Sequence, residues 1–172
     1  MGVVASNRST PERGCANVSL TDMNNKRLAV VVALAYILAW FLPVIEDGVT
    51  LPNGLPGWQA FRVALDPIWP YEDFQTSSWP WYWQVLSVLS AATNAVMICS
   101  LAVLARARSS RTRAMAWSAG LAFCINAHWC LRMDQLSDLR SGYFLWWASF
   151  LGLLVVIRKE QYKSALTTKG HP

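Results

Sequence analysis

Tyr82-Trp83-Gln84-Val85-Leu86-Ser87-Val88-Leu89-Ser90-Ala91-Ala92-Thr93-Asn94-Ala95-Val96-Met97-Ile98-Cys99-Ser100-Leu101-Ala102-Val103-Leu104-Ala105-Arg106-Ala107-Arg108 is the stretch on which the fold turns. No charged side chain occurs between Tyr82 and Ala105. As a helix rising about 1.5 Å per residue, this length crosses a bilayer core of about 30 Å. The arginines that follow mark the point where the chain re-enters water.

Three further runs share this character: 28–45, 114–131 and 142–157, each free of charge. The last is short for a span, so it needs outward-reaching Arg140 and Arg158 stems or a locally thinned bilayer. The expected fold is therefore all-α: a polytopic membrane protein with an antiparallel four-helix transmembrane bundle over 28–157. Spans lie at 28–45, 82–105, 114–131 and 142–157. A long outer loop, 46–81, separates the first two.

Orientation follows from the basic residues, because short Lys- and Arg-rich segments stay cytoplasmic. Twelve of the 15 lie in the N-terminal tail, the 106–113 loop or the C-terminal tail. Only Arg62, Arg132 and Arg140 fall on the other side, against seven of the ten acidic residues. Both termini are expected in the cytoplasm, and the clean bias leans toward a bacterial inner membrane. The net charge of +5 sits at span ends, where orienting helices explains it, so no nucleic-acid partner is expected. Attraction of the 106–113 loop to anionic inner-leaflet lipid fits the same pattern.

Residues 1–27 read as a disordered cytoplasmic tail and 158–172 as a second tail. The start fits a loose myristoylation pattern, Met1-Gly2-Val3-Val4-Ala5-Ser6. Met23-Asn24-Asn25-Lys26-Arg27 before an apolar run looks like a natural start, which raises the expectation that residues 1–22 are an extended gene reading. Four cysteines, Cys15, Cys99, Cys124 and Cys130, form no Cys-x-x-Cys and none lies in the outer loop. Size and layout resemble the bacterial DsbB-type and vitamin K epoxide reductase-type thiol oxidoreductases, a resemblance that the missing cysteine pairs dismiss.

The outer loop holds five prolines and four of the ten tryptophans, Trp58, Trp69, Trp79 and Trp81. Proline limits it to short pieces of regular structure. Within it Trp58, Phe61 and Leu65 recur at helical spacing, with Gln59, Arg62 and Asp66 one residue on, predicting a short two-faced helix that lies at the outer surface and stops before Pro67. Trp40, Trp83, Trp129, Trp146 and Trp147 are read as a one-sided aromatic belt. The set Trp58, Phe61, Leu65, Trp69, Trp79, Trp81 and Trp83 is the candidate docking face for a protein or lipid.

Small residues should bring the spans together: Ala114, Ser118, Ala122, Asn126 and Cys130 at i+4 steps, Ser87, Ala91 and Ala95 with Ser90 and Asn94, and Ala148 with Gly152. Asn94 and Asn126, at about 16 and 18 Å above the inner ends of their helices, are expected to meet as an interhelical pair. Glu46, Asp47, His128, Arg132 and Asp134 form a candidate outer polar cluster; chemistry there would make His128 a general base oriented by Glu46 or Asp47, with Arg132 binding an anion. No Gly-rich phosphate loop, Gly-x-Ser-x-Gly or His-Glu-x-x-His occurs, and two histidines are few for a metal site. No catalytic, metal or cofactor-binding residue is therefore assigned.

The expected function is that of a non-catalytic interaction, accessory or immunity-type membrane protein using its outer aromatic face. Small four-span immunity proteins share the build, a likeness of fold alone. The alternatives are a homo-oligomeric small-solute transporter or channel, which the absence of a carboxylate inside any span disfavours, and a membrane-embedded enzyme using the outer cluster.

Overall fold

The computed structural model describes residues 12–46, 54–70, 79–106, 112–132 and 138–169. The chain is mostly helical. In chain order the elements are α1 (Glu12–Ala39), β1 (Pro43–Ile45), β2 (Leu55–Pro56), α2 (Gly57–Ala64), α3 (Trp81–Ala105), α4 (Thr112–Asn126), α5 (His128–Arg132) and α6 (Ser141–Lys169). Among the described residues two helices, Trp81–Ala105 and Ser141–Ala165, are long and apolar enough to cross a membrane.

Four long helices pack in series: α1 on α6, α6 on α4, and α4 on α3. Their core begins at the basic end with Met115, Ala116, Leu153, Val156 and Ile157 and reaches Phe150, Ala122 and Met97. On α1 the buried residues Asn25, Val32, Tyr36 and Ala39 follow the three-and-four spacing of one helical face. Val32 lies over Gly152 of α6, where a Cβ would come within 2.7 Å of its Cγ2. Glycine there lets the two helices approach.

Several boundaries differ from those the sequence predicts. The first apolar run does not stay helical to Ile45, because Pro43 has no N–H and disfavours helical geometry in the residue before it. The final turn tightens, with Trp40 and Phe41 N–H donating three residues back at 3.1 and 3.0 Å, and Pro43–Ile45 becomes strand β1. The third run breaks at Ala127, so α4 and α5 replace one continuous span. At the other ends helix gains ground: α1 starts at Glu12, inside the tail expected to be disordered, and α6 runs to Lys169. Extending an existing helix fixes one residue per hydrogen bond and so costs far less than nucleating a new one. Asn25 of α1 donates to Glu160 of α6 beyond the apolar runs, joining the two extensions. With its 29 residues, α6 is about 43 Å long, and its charge-free part remains 142–157. The proposed start at Met23 concerns a segment whose first residues, 1–11, lie outside the described ones.

The acidic end is closed by a small sheet. Strand β1 pairs antiparallel with β2. On its other edge Glu46 N–H donates to Asp138 O and Arg140 N–H to Val44 O, both at 2.9 Å. Both edges of β1 thus find backbone partners. Gly54 leads into β2 with φ +69°, a left-handed conformation that glycine adopts without Cβ strain. Gly142, at the start of α6, sits so close to this cap that a Cβ would come within 2.8 Å of Leu42 O and 2.6 Å of Pro43 O.

The small-residue ridges hold only in part. On α3, Ser87, Ser90, Ala91 and Asn94 are buried while Ala95 is exposed; on α4, Ala122 and Asn126 are buried but Ala114 and Ser118 are exposed, replaced inward by Met115 and Ala119. Ala148 of α6 is also exposed. Each i+4 step turns about 40° past a full rotation. A five-member i+4 ridge therefore winds off any one neighbour.

Candidate functional site

Between the apolar core and the acidic-end cap lies a layer of buried polar side chains. Asn126, completely buried at the end of α4, accepts from Ser90 Oγ at 2.8 Å through Oδ1 and donates through Nδ2 to Thr93 Oγ1 at 3.0 Å. Thr93 passes its own proton to Ser90 O at 2.6 Å. Ser90 Oγ accepts from the Trp129 indole at 3.0 Å. Thr93 Oγ1 also lies 3.4 Å from Asn126 Oδ1, so each side chain of this circuit finds a partner and α3, α4 and α5 are joined.

Asn94 forms a second node. Its Oδ1 accepts from Tyr36 Oη of α1 at 2.8 Å and from the Trp146 indole of α6 at 3.0 Å. Its Nδ2 donates to Ala91 O at 2.9 Å. One amide thus gathers α1, α3 and α6. The sequence predicts that Asn94 and Asn126 meet each other; each instead has its own set of partners. Equal depth proves insufficient, because the direction of an amide is set by the helix face it occupies, and shorter side chains on α3 reach Asn126 first.

The break at Ala127 has a chemical partner for its loosened carbonyls. Cys130 N–H turns to Ala127 O at 3.1 Å, releasing Asn126 O, which accepts from Tyr143 Oη at 2.8 Å. Phe123 O accepts from the Trp147 indole at 3.0 Å. His128 Nδ1 lies 2.6 Å from Ile125 O; a carbonyl only accepts, so Nδ1 carries the proton. Three side chains, two of them from α6, satisfy the last carbonyls of α4.

These contacts correct the aromatic-belt reading. Trp129, Trp146 and Trp147 do not stand as a ring of anchors but turn inward and spend their N–H groups on the layer. A buried indole or phenol needs a partner for its polar atom. That rule is the signal by which Tyr36, Tyr143 and Trp146, missing from the expected site, are detectable in the apolar runs.

The expected outer polar cluster is not assembled among the described residues. Glu46 accepts from Arg140 Nε at 2.7 Å, an exposed ion pair. His128 is buried and lies between Trp129 and Trp83, with ring centroids 4.7 and 5.7 Å away. Asp47 and Asp134 lie outside the described residues, as does the side chain of Arg132. The cluster reading overlooked Arg140 because a residue next to an apolar run looks like a span-end cation and nothing more.

The expected docking face divides. Helix α2 forms and ends at Ala64, before Pro67, but it buries Val63 and Ala64 most deeply, with Phe61 and Leu65 half-buried against the core and Trp58 exposed. Ser87 Oγ of α3 reaches its Ala64 O at 3.1 Å, and Phe61 meets Trp40 at 5.4 Å. Asp66, expected on the wet face, is buried. Trp79 and Trp83 are half-buried, Trp79 against Trp129. Trp58, Ile68, Trp69 and Trp81 remain exposed, with Phe41 and Tyr82. The Arg62 guanidinium stands 3.5 Å over the Trp69 ring, a cation–π contact. Comparison with protein-family models, with curated proteins and with solved structures returns no match for the chain.

Proposed function

We propose that this chain is a multi-pass membrane protein, a four-helix bundle with both ends on the cytoplasmic side, that works without catalysis by presenting an aromatic outer surface to a protein partner. The observation that carries the membrane part is the exterior of the long helices. Val30, Val31, Leu34, Ile37 and Leu38 on α1, Val85, Leu89 and Ile98 on α3, Trp117 and Leu121 on α4, and Leu151 and Val155 on α6 are all exposed. The interior between them holds Ser87, Ser90, Thr93, Asn94 and Asn126. In water this distribution would leave a large apolar patch on every side, far beyond what a soluble monomer carries. In lipid it costs nothing, and the inward hydrogen bonds help to hold the helices together.

The interaction role draws support from the outer end. The polar groups of the buried layer are bonded to one another, a scaffold in which Asn126 and Asn94 fix helix positions. What faces outward there is mostly aromatic, Trp58, Trp69, Trp81 and Tyr82 beside Ile68, and Trp and Tyr concentrate binding energy at interfaces.

Topology is tested in a cysteine-free background with Arg62→Cys and Arg106→Cys, using a membrane-impermeant maleimide on intact cells. Labelling at 62 and protection at 106 until lysis is the expected outcome; the reverse pattern removes the assignment. For the interaction role, Trp69→Ala with Trp81→Ala should abolish stoichiometric co-purification of a partner in mild detergent while leaving the helical content intact. Retention of that partner by the double variant would remove the aromatic surface from the proposal.

A further inference from the structure

The basic end of the bundle has a built geometry of its own. Leu28, Leu104, Met115 and Ile157, one from each long helix, pack in the same core cluster. The antiparallel pairings of Asn25 with Glu160, Thr93 with Asn126 and Phe123 with Trp147 bring these four within about a turn of one level. Within two residues of them in sequence stand Arg27, Arg106, Arg113 and Arg158, all exposed. Each long helix thus leaves the shared core through an arginine. Trp117, the only tryptophan at this end, is 73% exposed and lies one turn along α4 from Arg113, on the same stripe. Among the described side chains here the one carboxylate is Glu160, which is engaged by Asn25.

We propose that this arginine ring, with Trp117 beside it, binds anionic phospholipid headgroups of the cytoplasmic leaflet. The inference rests on the membrane reading above and goes beyond it by naming the lipid class. Guanidinium groups bind phosphate oxygens through paired N–H donors in a planar fork. An indole one turn toward the core suits the boundary between headgroup and acyl chain. Four cations at one level, on four helices, face headgroups around the circumference of the bundle, so one lipid bridges neighbouring helices and holds the loosely joined pair α1 and α3.

The test uses the full chain purified in mixed micelles holding equimolar phosphatidylglycerol and phosphatidylcholine with matched acyl chains, with retained lipids counted by native mass spectrometry. Phosphatidylglycerol should be retained at least about fivefold over phosphatidylcholine. The quadruple variant Arg27→Gln, Arg106→Gln, Arg113→Gln, Arg158→Gln should bring that ratio near one, whereas Arg62→Gln with Arg140→Gln at the other end should keep it. If the quadruple variant fails to fold, the wild-type chain decides: raising salt from about 0.05 to 0.5 M shortens electrostatic reach and should collapse the preference. Equal retention of both lipids by the wild type, or a preference indifferent to both salt and the ring, overturns the proposal and leaves the membrane reading standing. A chain that stays monodisperse without detergent and retains neither lipid overturns both.

Discussion

The two halves of the bundle are held by different forces. Toward the basic end the core is Phe150, Leu153, Val156, Ile157 and Met115, apolar side chains interlocking with no direction to their attraction. Toward the acidic end Asn94 and Asn126 collect donors from Tyr36, Ser90 and Trp146, and a small sheet closes over them. In water the first half would be the stronger, since burying apolar area dominates folding. Under a lipid solvent that advantage disappears, because acyl chains solvate leucine as well as a protein core does. What remains to the apolar half is close packing. The polar half supplies direction, and so it decides which helix face meets which.

The comparison breaks first at the cap. Gly142→Val puts a branched side chain against the Leu42 and Pro43 carbonyls, which are fixed by the β1 pairings and cannot retreat singly. A loss of about 3 kcal/mol is expected, measured by steric trapping in bicelles, with the acidic end opening while the α1 and α6 extensions stay helical. Leu153→Ala, in the apolar half, should cost about 2 kcal/mol. A buried leucine in a soluble protein loses both transfer energy and contacts, whereas in the proposed lipid setting only the cavity term applies. A loss of 4 kcal/mol or more would show that water, and not lipid, is the reference for the unfolded helices.

Asn126→Ala removes the link from α4 to Ser90 and Thr93. Individual bonds of this kind inside membranes average about 0.6 kcal/mol, so about 1 kcal/mol is the expected cost. A double-mutant cycle with Ser90→Ala isolates the pair and should return a coupling near half of that. The same cycle on Asn94 and Asn126 should return almost none, because these amides do not bond to each other.

How much of this was legible in the sequence differs between the halves in the same way. Charge-free runs announce helices, and Trp81–Ala105 matches the predicted 82–105 to within a residue. Packing of the apolar half needs little more than that periodicity. The polar half was legible only as residue types. Pro43 carried a readable stop signal, which the length of the apolar run masked. The inward turn of Trp129, Trp146 and Trp147 was hidden because an indole at a span end serves an interface or a buried acceptor equally well, and their acceptors, Ser90 Oγ, Asn94 Oδ1 and Phe123 O, lie on other helices. Long-range partners such as Glu46 and Arg140 are 94 positions apart, beyond any local pattern.

The smallest effect belongs to Gly120. A Cβ built there meets nothing within 4 Å, in contrast to Gly142, where backbone oxygens crowd the same position. Helix interior glycine costs about 1 kcal/mol relative to alanine in water; in lipid, where the unfolded reference is itself a helix, most of that backbone entropy is already lost before the helices associate. Gly120→Ala should therefore shift bundle stability by less than about 0.5 kcal/mol in the same steric-trapping assay. A gain near 1 kcal/mol would mean that α4 is not held helical by the bilayer before assembly, and it would place that helix with soluble ones.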